Sequence, residues 1–411
     1  MTHDHASDRY PPNAPELMED PFGGHPAWII TRHDDVNAVV TDRRLVMNRR
    51  SLPGGTDNYA DVLVAMGVSE GLAPYIAGNL VHTDPPDHTR LRRLVARAFS
   101  ARRISALRPR LEEITGELLD ALPGHANDGT VDLIEHFAFP LPITVICELL
   151  GVPAQDRPKW RAWSRECASF DPRRMNTMLA GISAYIRDLA EQRRAEPADD
   201  LITGLAQAHD EDSDRLSDTE LITMVMTLVI AGHETTAHLI GNGIAGLLSH
   251  PDQLALLRED PTLMPGAIQE LLRWGGPAVT AMLRHASEDM TIGDVSIKSG
   301  DRVQAILSAA NHDPQRYPHP ERLDITRRLE VTGVQHLAYS NGIHYCLGAG
   351  LANQEAEVAF TAVFDRYPDL ALAVPSDGLE WQPLPFSRQL IRLPVTLGAP
   401  RLPGVAAVRT H

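Results

Sequence analysis

The stretch from Tyr339 to Gly350, YSNGIHYCLGAG, places Cys346 between a histidine two residues before it and a glycine two residues after it. Three chemistries use a thiol in such surroundings. A nucleophile on a strand-to-helix elbow needs glycine two positions before the sulfur, and His344 stands there instead. A zinc site needs further cysteine or histidine partners at ligand spacing, and His344 alone is close in sequence. The third chemistry is a thiolate bound to haem iron. A helical pattern opens just past Cys346, LGAGLANQEAEVAFTAVFDRY, and would aim backbone N–H groups and a positive dipole end at the sulfur. Gly342 and Gly348 would let the backbone lie close beneath a flat macrocycle, where a side chain would collide. The plain alternative is a buried free cysteine in a turn.

The elements that must position this loop are mostly helices. LRPRLEEITGELLDAL, FPLPITVICELLGV, MLAGISAYIRDLAEQRRAE and PGAIQELLRW carry apolar residues at spacings of three and four. AWIIT near residue 30 and MTIGDVSIKSGDRVQAILSAA, from 290 to 310, read as short strands joined by turns. The best-marked element runs from Ser217 to His250, where Ser217 and Glu220 form a capping box and Pro251 stops the pattern. It predicts a helix of about 34 residues, roughly 50 Å long and apolar enough to cross the core. Its middle is polar where burial should be deepest, with Gly232, Glu234, Thr235, Thr236 and His238. A buried carboxylate is costly unless it is paired or used in chemistry. A threonine hydroxyl can instead be satisfied by the carbonyl one turn earlier. No repeat and no long linker divides the chain, so the expected fold is one large, mainly α domain with small β-sheets.

Composition excludes several functions. The chain has 411 residues, 43% of them hydrophobic, and a formal net charge of −16, which would repel nucleic acid. Three cysteines, Cys147, Cys167 and Cys346, fit a reducing compartment better than a disulfide framework. The polar start MTHDHASDRYPPNAPELMED lacks the apolar core of a signal peptide, and no uninterrupted apolar run is long enough for a membrane anchor. A cytoplasmic protein is expected.

Four segments together resemble the cytochrome P-450 superfamily, most closely its soluble bacterial members. The cysteine-ligand signature F-x-x-G-x-H-x-C-x-G falls on Tyr339, Gly342, His344, Cys346 and Gly348; the oxygen-binding motif A-G-x-[DE]-T falls on Ala231, Gly232, Glu234 and Thr235. ELLR supplies E-x-x-R as Glu270 and Arg273, HPERLDITR resembles the arginine-bearing segment after it, and DPPDHTRLRRLVARAFS is similar to a helix that contacts a haem propionate. The resemblance implies a single P-450-type domain over 26–400, with its long central helix crossing the haem, between an N-terminal segment, 1–25, and a tail, 401–411. The chain departs from the pattern at four positions: Tyr339 for phenylalanine, Ser340 for glycine, Gly350 for proline and Asn353 for arginine. Tyr339 is expected to add a hydrogen bond near the sulfur.

The resemblance further implies a b-type haem with Cys346 as axial thiolate and metal ligand, Gly348 beside it, and His88, Arg92, Arg284 and His344 on the propionates. Glu270 and Arg273 would join Arg322 in a buried structural network. Ala231 and Gly232 would leave room for O2, Thr235 would bond the oxygen, and Glu234 would relay protons. The implied activity is a monooxygenase that hydroxylates or epoxidises a hydrophobic small molecule, such as a polyketide or macrolide. Substrate contacts are expected from 48–80, the helices between about 160 and 200, PAVTAM and LPFSRQ. Phenol coupling, nitration or peroxide-driven oxidation on the same haem is one alternative, and a non-catalytic partner protein is another. No dinucleotide fingerprint is visible, so electrons from NAD(P)H would arrive through a ferredoxin and its reductase. Eight arginines between His88 and Arg110, with no acidic residue among them, are the expected docking patch.

Overall fold

Apolar residues recurring every three or four positions give a chain of packed helices. Those that bear on the site are α1 (His33–Thr41), α2 (Asp87–Ala98), α3 (Pro140–Leu150), α4 (Asp218–Ser249), α5 (Met264–Gly275) and α6 (Ala349–Arg366). The computed structural model describes residues 10–19, 25–52, 54–55, 59–167, 171–207, 216–327 and 336–401. Of the expected tail, 401–411, only Arg401 falls among them.

Helix α4 spans 32 residues, and α3, α5 and α6 all pack against it. Its start is fixed as the sequence indicated. Ser217 Oγ accepts from the Glu220 N–H at 3.2 Å, and Glu220 Oε2 accepts from the Ser217 N–H at 2.8 Å. Its second half is buried almost all round, from Thr236 to Leu247. Close approach there depends on glycine. A Cβ on Gly241 would stand 2.3 Å from Ile134 Cδ1, and one on Gly243 would stand 2.4 Å from Phe360 Cζ of α6. Either methyl would push a neighbouring element off the axis.

A five-stranded sheet closes one side of the molecule. Its strands are β1 (Glu16–Met18), β2 (Ala27–Ile30), β3 (Leu45–Val46), β4 (Arg284–Ala286) and β5 (Arg302–Ala305), in the order β1-β2-β5-β4-β3. β2 and β5 are parallel, with Trp28 opposite Val303, and the other pairs are antiparallel. The stretch expected as strands to residue 310 changes character early. Leu307–Asn311 is a helical turn, because pairing ends at Ile306 and the Ser-Ala-Ala that follows favours helix over strand.

The E-x-x-R pair is buried, with both side chains at 0% exposure. Arg273 grips Glu270 with two bonds, at 2.7 and 2.8 Å, and also donates to the carbonyls of Asn311, Pro320 and Arg322. The third member is not Arg322, as the sequence suggested, but Arg327, whose Nε reaches Glu270 Oε1 at 3.2 Å. The reason is geometric. Turning the Pro320 and Arg322 carbonyls inward to Arg273 leaves the Arg322 side chain exposed, and the turn closed by Arg327 N–H on Asp324 O brings the later arginine back. Arg327→Ala should therefore cost roughly 2 kcal/mol in urea unfolding, while Arg322→Ala stays within about 0.5 kcal/mol. Equal midpoints for the two variants would refute this assignment.

Candidate active site

The cysteine loop is held by its own backbone. Ser340 and Gly342 adopt left-handed φ values of 58° and 69°, and Cys346 N–H donates to Tyr339 O at 3.0 Å, which closes the loop beneath the thiol. The position where the P-450 pattern frequently has glycine, Ser340, is thus one where a side chain is strained. Gly348 caps α6, and a Cβ there would meet nothing nearer than Cys346 Sγ, 4.0 Å away. Burial pushes the thiol pKa up, opposed by the backbone N–H groups of Gly348 and Ala349 and by Arg92. Gly342 has a different reason to be glycine than closeness to a macrocycle. A Cβ there would lie 2.9 Å from Val40 O and 3.1 Å from Thr41 Cα, against the end of α1. Nor does Tyr339 bond near the sulfur, since its hydroxyl donates to Asn353 Oδ1 at 2.9 Å.

Above the loop lies a cavity of about 330 Å³, walled by α4, the Pro277–Met282 segment and the cysteine loop. Its lining is apolar, apart from a few hydroxyls, one carboxyl and one basic side. Arg92, Arg284 and His344 form that side. Arg284 is 2% exposed, holds only the carbonyls of Leu45 and Val40 at 3.3 Å, and leaves Nε unbonded. Burial pulls its pKa down to about 10. Arg92 donates to Tyr345 O at 2.7 Å. His344 is driven to about 3 by burial first and then by His88, Arg284 and Arg92, so its ring is neutral. His88 stands behind it, ring centroids 4.4 Å apart, and both rings leave a buried Nε2 without a partner.

On α4 the residues facing the cavity include Ala231, Gly232, Thr235 and Thr236. The first two and Thr235 are exposed to it although the helix crosses the core. The helix is continuous here. Thr235 Oγ1 donates to Ala231 O at 2.7 Å and Thr236 Oγ1 to Gly232 O at 2.8 Å. Thr235 thus offers the cavity lone pairs, and its proton becomes available only when that bond is released. Glu234 lies off the lining, accepts from Gln389 Nε2 at 3.2 Å, and has its pKa raised by burial.

A family model described as cytochrome P-450 matches residues 163–369. Cytochrome P-450 107B1 of Saccharopolyspora erythraea is 45% identical over 378 residues, 92% of this chain and 90% of that one. The chain belongs to the cytochrome P-450 family. It is similar, at 42% identity over 92% of its length and 91% of the relative's, to the 6-deoxyerythronolide B hydroxylase of the same organism. Its fold matches that of the bacillaene polyketide synthase cytochrome P-450 PksS of Bacillus subtilis with a TM-score of 0.84, at 35% identity, covering 96% of this chain and 95% of that one. This P-450 is accordingly a monooxygenase, and the family's prosthetic group is a thiolate-ligated haem. The residues present fit that group. Buried donors without an acceptor ring one side of the cavity, as carboxylate propionates require, and a thiol with two converging N–H groups forms the floor.

Some expected contacts lie elsewhere. Pro277, Ala278, Thr280, Ala281 and Met282 do line the cavity, and Leu80 represents the 48–80 region. Among the described residues, neither 160–200 nor LPFSRQ reaches it. Trp160 and Trp163 pack on Tyr185 instead, at 5.6 and 6.1 Å between centroids. Gln389, just after Arg388 in that second segment, serves Glu234. The arginine-rich segment is largely paired: Arg90 with Glu220, Arg103 with Asp199, Arg108 with Glu112 and Glu357, and Arg110 with Glu148 and Glu113. Glu112 and Glu113 lie just past the segment and the other acidic partners come from distant sequence, none of which an arginine count between two positions registers. Among the described side chains of this segment, Arg102 is exposed and outside these pairs.

One residue the motifs missed is Glu355, on the cavity wall, 2% exposed, with Oε2 unpartnered. The signal was present: Leu351, Glu355 and Val358 follow the buried stripe of α6, with an acid where an apolar residue belongs. Burial raises its pKa to about 8. The folded state therefore keeps a proton that the unfolded chain loses above roughly 4.3. Its contribution is full at acid pH and is lost as pH rises to about 8, by on the order of 1 kcal/mol per pH unit. The melting temperature of Glu355→Gln should fall less steeply than that of wild type between about pH 5 and 8. Parallel curves would mean that Glu355 is already ionised.

Proposed function

We propose that this P-450 hydroxylates or epoxidises an uncharged polyketide or macrolide, with Cys346 as the axial thiolate of a b-type haem. The observation that carries the reading is the floor and side of one cavity: a thiol under two backbone N–H groups, beside buried guanidinium and imidazole nitrogens that lack an anion. His88, Arg92, Arg284 and His344 would hold the propionates, with the His88 ring packed behind that of His344. Haem bound there supplies reductive activation of O2 and delivery of one oxygen atom to the substrate, the other leaving as water.

The chain's own work is to orient, to keep water out and to hold protons. Ala231 and Gly232 present almost no side chain to the cavity and leave space above the floor. Thr235 can release its bond to Ala231 O and turn its proton toward that space. Glu234, whose pKa burial raises, would hold a proton at its carboxyl beside Gln389 and pass it on through a change of rotamer or a water. The apolar lining favours a neutral substrate. Among the described residues, Glu355 is the only carboxylate in it and no lysine is present, and Arg92 and Arg284 would be taken up by the propionates, so a charged ligand would meet little to neutralise it. The similar hydroxylase and PksS point to polyketides. Electrons would come from NAD(P)H through a ferredoxin and its reductase in the cytoplasm. The segment carrying Arg102 abuts the cysteine side, as Gln354 Nε2 bonds Ile104 O at 3.1 Å. Turnover should then fall with salt and with Arg102→Glu.

Two measurements test the reading. Reduced wild type under carbon monoxide should give the strongly red-shifted Soret band of a thiolate-ligated haem, and Cys346→Ala should lose it. A Cys346→Ala variant that kept the band would sink the assignment. Product and peroxide per NADPH test the helix. Thr235→Ala should still consume NADPH yet shift output to peroxide, whereas Glu234→Gln should slow the whole cycle. Unchanged coupling in Thr235→Ala would leave its hydroxyl with the Ala231 carbonyl alone, worth about 1 kcal/mol of stability.

A further inference from the structure

Two of the four departures from the P-450 pattern, Tyr339 and Asn353, are bonded to each other. Tyr339 Oη donates to Asn353 Oδ1 at 2.9 Å. The same oxygen accepts from Gln269 Nε2 of α5 at 3.3 Å, and Gln269 Oε1 lies 2.9 Å from His336 Nε2. His336 Nδ1 accepts from the Ala338 N–H at 3.2 Å, which returns the chain of bonds to the residue next to Tyr339.

Every donor and acceptor in this ring is determined. His336 is buried and neutral, so accepting at Nδ1 makes Nε2 the donor to Gln269. The Gln269 oxygen is thereby occupied, which turns its amide N–H to Asn353. Burial keeps the Tyr339 phenol protonated, hence a donor. Asn353 Oδ1 thus receives two N–H or O–H groups. The ring ties the cysteine loop to α5 and α6 at once, and a neighbouring bond, Leu337 N–H to Asn311 Oδ1 at 2.7 Å, ties it to the residue whose carbonyl Arg273 holds. Tyr339 O in turn takes the Cys346 N–H. The chemistry of each alternative residue is unfavourable on its own. Phenylalanine at 339 would leave Asn353 Oδ1 with one donor, and arginine at 353, which has donors only, would set its N–H groups against Gln269 Nε2–H and leave the Tyr339 O–H without its acceptor.

We propose that Tyr339 and Asn353 are a matched positioning pair that clamps the cysteine loop, so that the two departures form one device. The proposal rests on Cys346 being the haem ligand. It is tested on haem-loaded wild type, Tyr339→Phe, Asn353→Arg and the double variant, by the rate at which the carbon monoxide complex loses its thiolate Soret band in urea below the unfolding transition. Unfolding midpoints are recorded alongside. Tyr339→Phe should lose the band roughly fivefold faster, the factor for one hydrogen bond of ~1 kcal/mol, and Asn353→Arg faster still. The double variant should be slower than Asn353→Arg alone, since removing the phenol removes the hydroxyl proton that Asn353→Arg leaves without an acceptor. Rates in the double variant equal to the product of the single effects would overturn the pairing, as would band loss that merely tracks the unfolding midpoints. Wild type without any thiolate band would overturn the ligand assignment and the pair together.

Discussion

Two guanidinium groups and two neutral imidazoles cluster on one side of an apolar cavity, and the rest of the structure accommodates that arrangement. Burial has lowered the pKa of both arginines and both histidines, so each loses solvation that its protein partners return only in part. Carbonyl groups of Val40, Leu45 and Tyr345 take some of the donors, but Arg284 Nε and two imidazole Nε2 atoms remain without acceptors. A dianionic edge would satisfy them together. The elements bringing these residues into register are remote in sequence: α2 supplies His88 and Arg92, β4 supplies Arg284, and the cysteine loop supplies His344. The sheet and α1 are needed to seat β4 against the loop, which is why Gly342 must press on Val40 and Thr41.

The opposite wall solves a different problem. Helix α4 carries polar residues through the core by satisfying them internally: Thr235 and Thr236 bond back one turn, and Glu234 turns to Gln389 from the far end of the chain. Among the described residues, nothing charged on that helix faces the cavity. The hydroxyl and the carboxyl thus sit on adjacent residues of one helix, Thr235 on the cavity side and Glu234 off the lining.

Local signals in the sequence were legible where they act locally. The capping box at Ser217 and Glu220 and the stop at Pro251 are as the residue spacing indicated, and the buried pairing of Glu270 with Arg273 is as the family resemblance implied. Long-range partners were not. Arg327 replaces Arg322 because backbone carbonyls turned inward, which no spacing rule encodes. The arginines between His88 and Arg110 looked like a free patch because Glu220, Asp199, Glu357 and Glu148 are far away in sequence. Tyr339 was read as a neighbour of the sulfur because it is near in the motif, yet its hydroxyl points to Asn353. Glu355 was visible only as an acid on an apolar stripe.

The central claim is that one side of the cavity binds the propionates while the Cys346 sulfur binds the iron. A crystal structure of the haem-loaded protein tests it most directly. The account expects propionate oxygens within hydrogen-bonding distance of Arg92, Arg284 and His344, with the iron about 2.3 Å from Cys346 Sγ, as for a metal–thiolate bond. Iron ligated through His344, or propionates directed away from Arg92 and Arg284, would contradict it.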